Sequence, residues 1–243
     1  MKLTVLGCSG GFPAAGGATS GYLLEIEGRH VLIDCGSGVL SKLFQVIDLS
    51  QLDAIILTHL HYDHMSDIQV LKYAFDLTRK SGQDVKALPI FAPATPEIQH
   101  DSLQSEGNLV VGQISGGSTM NLFGAHVQFL RMEHPVETYG MRVEWHGKVF
   151  AYTADSIPCT NLQTLLDKAD LALMDAGSLE KFRKPVMMHM TAAECASFAL
   201  NCQVDRLLLT HLLPLIDPAD ILAEAKAVFP SAELAVSLQS YEV

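Results

Sequence analysis

A chain of 243 residues, 49% hydrophobic and 18% charged, has the composition of a globular protein with a sizeable core, and its length fits one large domain or two small ones. The formal net charge of −11, with no cluster of lysine and arginine, works against extended nucleic-acid binding, which leans on concentrated positive charge. No apolar run approaches the roughly 20 residues needed to span a bilayer, so no membrane association is expected. The five scattered cysteines form no C-x-x-C pair and read as free thiols, which points to a cytoplasmic location.

Residues 2–6 read as a strand that runs at once into glycine, and not as a signal peptide. Residues 7–21 form a loop of Gly, Pro, Ala and Ser. Residues 22–27 alternate, and Gly28-Arg29 turns the chain into residues 30–34. Residues 53–58 are a short, nearly continuous apolar run, the pattern of a strand buried on both faces, and residues 67–80 carry Ile68, Leu71 and Phe75 at helical spacing. Strands are expected at 88–91 and 109–114, around a helical piece at 96–106. Several β-rich runs follow between 119 and 153, with tight turns at Phe123-Gly124 and His146-Gly147. From there helix and strand alternate: helix 162–168, strand 171–174, helix 191–202, strand 206–210, helix 218–228 and strand 233–236. No linker or low-complexity tract interrupts them, so residues 1–243 are expected to form one domain. The order predicts two sheets packed together with helices outside, a layered α/β architecture.

Three of the ten histidines fall in one hexapeptide, His59-Leu60-His61-Tyr62-Asp63-His64, directly after the apolar run. Imidazole nitrogen and carboxylate oxygen are the donors that zinc and its neighbours accept. On an extended turn His59 and His61 would point to one side, with Asp63 and His64 offset toward a second position. One loop would then serve two ions. The alternative, a solvated polar loop or a structural cluster, fits less well with such a density of histidine.

His59-x-His61-x-Asp63-His64 resembles the signature of the metallo-β-lactamase superfamily, whose four-layer αββα sandwich accommodates the element order above. The segments Met132-Glu133-His134-Pro135, Ala151-Tyr152-Thr153-Ala154-Asp155-Ser156 and Leu208-Leu209-Thr210-His211 resemble the rest of that pattern. The resemblance implies that His59, His61 and His134 hold one divalent ion, that Asp63, His64 and His211 hold a second, and that Asp155 bridges both. Zinc is the default for a His-rich set, with manganese and iron as alternatives.

A further segment, His189-Met190-Thr191-Ala192-Ala193-Glu194, opens a helix with capping-box spacing. It resembles the histidine segment of ribonuclease Z and its phosphodiesterase relatives. That likeness implies that His189 lies over the metals and stabilises charge or protonates the leaving oxygen. In the hydrolysis expected here, Asp63 or a metal-bound water is available to shuttle protons. The tRNA-gripping arm of ribonuclease Z has no counterpart in residues 138–155, and residues 10–20 lack the arginine usual in that family. The closer resemblance is therefore to small bacterial metallo-hydrolases related to ribonuclease Z, which also implies a homodimer.

The expected function is a binuclear metal-dependent phosphodiesterase that acts on a small nucleotide or other phosphodiester through a metal-bridging hydroxide. A serine nucleophile is not required, and there is no G-x-S-x-G elbow. The alternatives are a carboxylic-ester, lactone or thioester hydrolase, a tRNA 3′-processing endonuclease, or a non-catalytic metal-binding sensor. Asp34 ends a strand beside a glycine turn and either orients a metal-bound histidine or serves the turn; for Asp175, in Met-Asp-Ala-Gly, the turn role is expected. His30, His100, His126 and His146 are expected at the surface. The methionines of residues 187–190 are expected to pack in the core or a surface loop more than to line a pocket.

Overall fold

Strand-forming runs in the first half of the chain assemble one sheet, and those in the second half assemble another. The computed structural model, which describes residues 1–243, puts β1 (Lys2–Gly7), β2 (Gly21–Ile26), β3 (Arg29–Ile33), β4 (Leu52–Ile56), β5 (Leu88–Ala92) and β6 (Leu109–Gln113) in the first sheet. The second holds β7 (Thr119–Leu122), β8 (Ala125–Arg131), β9 (Tyr139–Trp145), β10 (Lys148–Tyr152), β11 (Leu171–Asp175), β12 (Arg206–Thr210) and β13 (Glu233–Leu234). A closing strand, β14 (Ser240–Glu242), returns to the first sheet and pairs antiparallel with β1. The resulting orders are β14-β1-β2-β3-β4-β5-β6 and β13-β12-β11-β10-β9-β8-β7.

Each sheet begins as antiparallel hairpins and continues parallel: β3 to β6 in the first, β10 to β13 in the second. Parallel neighbours need a crossover, usually helical, and the helices α1 (Val39–Leu43), α2 (Tyr62–Lys80), α3 (Glu97–Asp101), α4 (Asn161–Leu166), α5 (Ala192–Asn201) and α6 (Pro218–Lys226) lie in those connections and beside them. Burial divides accordingly into three layers of core. One joins the inner faces of the sheets through Tyr22, Ile33, Phe129, Phe150 and Leu208. A second packs α1 and α2 on the first sheet through Leu43, Ile68, Leu71 and Phe75. The third packs α4, α5 and α6 on the second sheet through Leu165, Ala196 and Ile221. Helix, sheet, sheet, helix is the αββα sandwich that the resemblance implies.

Several boundaries differ from the sequence reading, each for a local reason. Helix α2 begins at Tyr62 and not near Asp67. Met65 extends the buried face of Ile68, Leu71 and Phe75 by one turn, but the histidines around it hide the period. Asp63 and His64 therefore sit on the first turn of a helix and not on an extended turn. The helical piece expected at 96–106 is confined to Glu97–Asp101, where no residue is buried, so no apolar stripe sustains a longer helix. Helix α1 and strand β14 are not among the expected elements, because five and three residues are too few to show a period. Strands β9 and β10 are joined directly at His146-Gly147, so no arm is inserted there.

Candidate metal centre

The chemistry-bearing residues collect at the carboxyl ends of the strands. His59 and His61 follow β4, and Asp63 and His64 open α2; His134 follows β8, Asp155 follows β10, Asp175 ends β11 and His211 follows β12. Both sheets thus contribute to one cluster. Ligand atoms of His59, His61, His134 and Asp155 lie within 4.8 Å of one another, as do those of Asp63, His64, Asp155 and His211. All seven residues named from the sequence are brought together, in the two sets expected, with Asp155 common to both. A third group, Asp155, Asp175, His189 and His211, adjoins them, its ligand atoms also within 4.8 Å of one another.

His59, His64 and His134 each anchor one imidazole nitrogen and turn the other toward the cluster. His64 Nδ1 donates to Asp34 Oδ2 at 2.9 Å, leaving Nε2 3.3 Å from Asp155 Oδ1. Asp34 also accepts from the Thr58 amide at 2.8 Å, the Thr58 hydroxyl at 3.0 Å and the Tyr152 hydroxyl at 3.1 Å. With its hydroxyl proton on Asp34, Thr58 Oγ1 can accept from His59 Nδ1 at 3.1 Å, which frees His59 Nε2 toward Asp155 Oδ2 at 3.6 Å. His134 Nδ1 donates to the Met188 carbonyl at 3.2 Å, and its Nε2 lies 3.1 Å from His61 Nδ1. His211 Nε2 lies 3.2 Å from Asp63 Oδ2 and 3.3 Å from Asp155 Oδ2, while its Nδ1 lies 3.4 Å from Asp175 Oδ1. Fixing the far nitrogen selects the tautomer that offers a lone pair to an ion.

Orphaned atoms test whether this donor set suits a metal. His59 Nε2, His64 Nε2 and Asp155 Oδ1 are buried and make no hydrogen bond. An unpaired buried polar atom costs about 1–3 kcal/mol, and these three lie in the two donor sets that share Asp155, where cations would satisfy them. Oxygen and imidazole donors are those of a divalent transition ion or zinc, so the residues fit such ions.

The charges agree. Burial drives the imidazole of His59 well below its usual range, with His64 adding to the effect. Burial likewise lowers His61 and takes His134 down to about 4. Burial opposes charge on His64 and His211 too, but Asp155 and Asp34 raise His64 well above its usual value, and Asp155 and Asp175 raise His211 to about 10. Although burial works against them, His211 and His64 hold the carboxyls of Asp63 and Asp155 below the usual range. The carboxylates thus gather protons onto the neighbouring imidazoles, and those protons occupy the positive role that an ion would take over.

Beyond the cluster lies His189, in the loop before α5. Its ring centroid is 4.7 Å from that of His211 and 5.5 Å from that of His134, and its side chain is 28% exposed, so a substrate can reach it. Nδ1 donates to Asp175 Oδ2 at 2.9 Å, leaving Nε2 free. Burial alone would depress His189, but Asp175 raises it above the usual imidazole value. On its far side opens a cavity of about 370 Å³. Its lining includes Phe182, Met187 and Met188 from one segment, and Leu213, Leu215 and Ile216 from the segment after β12. Met187 and Met188 therefore do line a pocket, contrary to expectation, while Met190 is buried in the core.

Residues 29–212 match the sequence profile of the β-lactamase superfamily domain. The chain belongs to the metallo-β-lactamase superfamily. Within it, the chain is 34% identical over 229 residues to the probable metallo-hydrolase YhfI of Bacillus subtilis, covering 94% of each. The crystal structure of YhfI, a metallo-β-lactamase fold protein, superposes with a TM-score of 0.95, covering 100% of this chain and 99% of that one at 33% identity. A ribonuclease Z of Mycolicibacterium gilvum is 28% identical over 90% of this chain and 86% of its own length. Human tRNase Z, short form, shares the fold at 20% identity, with a TM-score of 0.78 over 100% of this chain and 99% of that one. By superfamily and fold the chain is a metal-dependent hydrolase.

Two residues matter more in this superfamily member than the sequence reading allowed. Asp175 is fully buried; its Oδ1 accepts from the Gly177 amide at 3.0 Å, which is the expected turn, while its Oδ2 orients His189. Asp34, left open between two roles, spends its carboxylate on Thr58, His64 and Tyr152. The early glycine loop also reaches the site: the Gly11 amide donates to Asp63 Oδ2 at 2.8 Å. Of the remaining histidines, His126 and His146 are exposed, and His30 and His100 are half-buried.

Proposed function

We propose that this chain is a binuclear phosphodiesterase for a small phosphodiester, such as a nucleotide, with residues 1–243 acting as one catalytic domain. In this reading His59, His61 and His134 hold one divalent ion, Asp63, His64 and His211 hold the other, and Asp155 serves both. Zinc is the ion expected, with manganese and iron accepted by the same donors. Two such ions would polarise the ester oxygen and acidify a water to near-neutral pKa.

The observation that carries the reaction type is the placement of His189. Its Nε2 is free, its other nitrogen is held by Asp175, and it stands beside both donor sets. With a proton retained by Asp175, His189 can donate to the oxygen that departs from phosphorus, a step that positioned general acids typically speed by about 10²–10⁴-fold. Asp63, held in place by the Gly11 amide and His211, can take up and pass on the proton of the attacking water. The direct β9–β10 connection and the net charge of −11 favour a small substrate over tRNA. Five free thiols suit a cytoplasmic enzyme.

The test is turnover of bis-p-nitrophenyl phosphate, a lactone and a thioester by zinc- or manganese-loaded protein. Preference for the diester is expected, with a loss of about 10²-fold or more in His189→Ala at unchanged metal content. Full diester turnover in that variant would remove the role given to His189. Preference for the lactone or thioester would replace phosphodiester chemistry by carbonyl chemistry, and fewer than two ions per chain would contradict the binuclear centre.

A further inference from the structure

The cavity beside His189 differs in chemistry from the cluster it adjoins. Phe182, Met188 and Leu215 remain 47%, 53% and 79% exposed around it. Apolar side chains gathered at one mouth mark a surface meant to be covered. Apart from His189, Lys184 is the single basic side chain in the lining, with no arginine. A chain of phosphates entering here would meet only Lys184 beyond His189 itself, where nucleic-acid grooves supply many positive charges.

The cavity is also tied to the reacting centre and held open. Gly177 and His189 line it, and a Cβ on Gly177 would lie 3.0 Å from His189 Cγ, so glycine lets the imidazole stand flush with the floor. The Met188 carbonyl that caps this wall accepts the bond from His134 Nδ1. Arg183 fastens the wall to Glu180 and Glu194 at 2.6 Å each, and the Glu180 amide donates to Glu224 at 2.9 Å. A pocket fixed in this way requires little ordering when it is filled.

We infer that the substrate places an apolar, ring-sized group in this pocket, carried on the ester oxygen that faces His189, and that the pocket selects which esters the enzyme takes. The inference rests on the phosphodiesterase reading and adds the character of the alcohol that leaves. A volume of about 370 Å³ is at the small end for ligand sites, enough for one ring system with its linking atoms. Methionine pairs adapt to flat rings and make favourable sulfur–aromatic contacts, so an aromatic ring fits Met187 and Met188 best.

Binding of phosphonates that cannot be hydrolysed separates this assignment from the activity. Metal-loaded protein is titrated calorimetrically with methylphosphonate, benzylphosphonate and (2-naphthylmethyl)phosphonate. The benzyl compound is expected to bind at least about tenfold more tightly than the methyl compound. Leu215→Glu, at an exposed position, is expected to bring that ratio close to one, with melting temperature and metal content checking the fold. Equal affinity along the series in the unaltered protein would overturn the inference, and if diesters were still hydrolysed the phosphodiesterase reading would stand. Ring preference without diester turnover would do the reverse.

Discussion

At the scale of single residues, the cluster is organised by two buried carboxylates behind the proposed ligands. Asp34 and Asp175 bind the far nitrogens of His64 and His189, and Asp175 also lies against His211. Such partners are typically worth about 10–100-fold in metal affinity or activity. Asp175→Asn keeps the shape but removes the charge that holds the proton on His189. We expect kcat to fall by about 10–100-fold and the alkaline limb of its pH profile to move to lower pH, because Asp175 is what raises that imidazole against burial. Steady-state kinetics across pH decides the matter: a lower kcat with an unmoved limb would mean that Asp175 acts on shape alone. The hexapeptide itself was legible in the sequence, since its donors are local and dense. The roles of Asp34 and Asp175 were not, because each is defined by a partner brought close only by the fold.

Among elements, the loop after β1 has the clearest mechanical role. Gly10 N donates to the Leu212 carbonyl at 3.0 Å and Leu212 N to the Cys8 carbonyl at 2.8 Å, so this loop is zipped to the segment that carries His211. Gly10 packs so closely that a Cβ there would fall 2.5 Å from His211 Nδ1 and 2.6 Å from His211 O. Gly10→Ala must push His211 aside, at an overpacking cost of about 1–3 kcal/mol. Loss of metal from the Asp63, His64 and His211 set is expected, read by metal analysis beside a lowered melting temperature; two ions retained at full affinity would refute the close fit. From the sequence this segment read only as a glycine loop. Glycine-rich composition reports a turn, but not which side chain the backbone approaches. The main strands and α5 were readable because period and capping are local; the start of α2 was hidden by histidines that break its apolar period.

For the whole molecule, the proton balance of the cluster makes stability depend on pH in opposite ways with and without metal. In metal-free protein His64 and His211 have raised folded-state pKa values, His211 to about 10. A raised value stabilises fully below the unfolded-state value of about 6.5 and loses that contribution as pH climbs toward the folded one. Chelator-treated protein should therefore melt at a lower temperature at pH 8.5 than at pH 6.5. His59, His61 and His134, shifted downward, act below that window and do not offset it. With metal bound the imidazoles serve as neutral ligands, so affinity strengthens as pH rises and the trend is abolished or reversed. Melting curves at the two pH values, with and without ions, check this; a metal-free protein that gains stability across the window would contradict the charge assignment.

The donors come from both sheets, from His59 after β4 to His211 after β12, and that origin has a consequence for rates. Such a clasp cannot close until strand ends from both sheets lie side by side. Interactions absent from the transition state slow unfolding and leave the folding rate nearly untouched. Ions seated there would lengthen the lifetime of the native molecule, and its resistance to proteases that wait for it to open, more than they would hasten its formation.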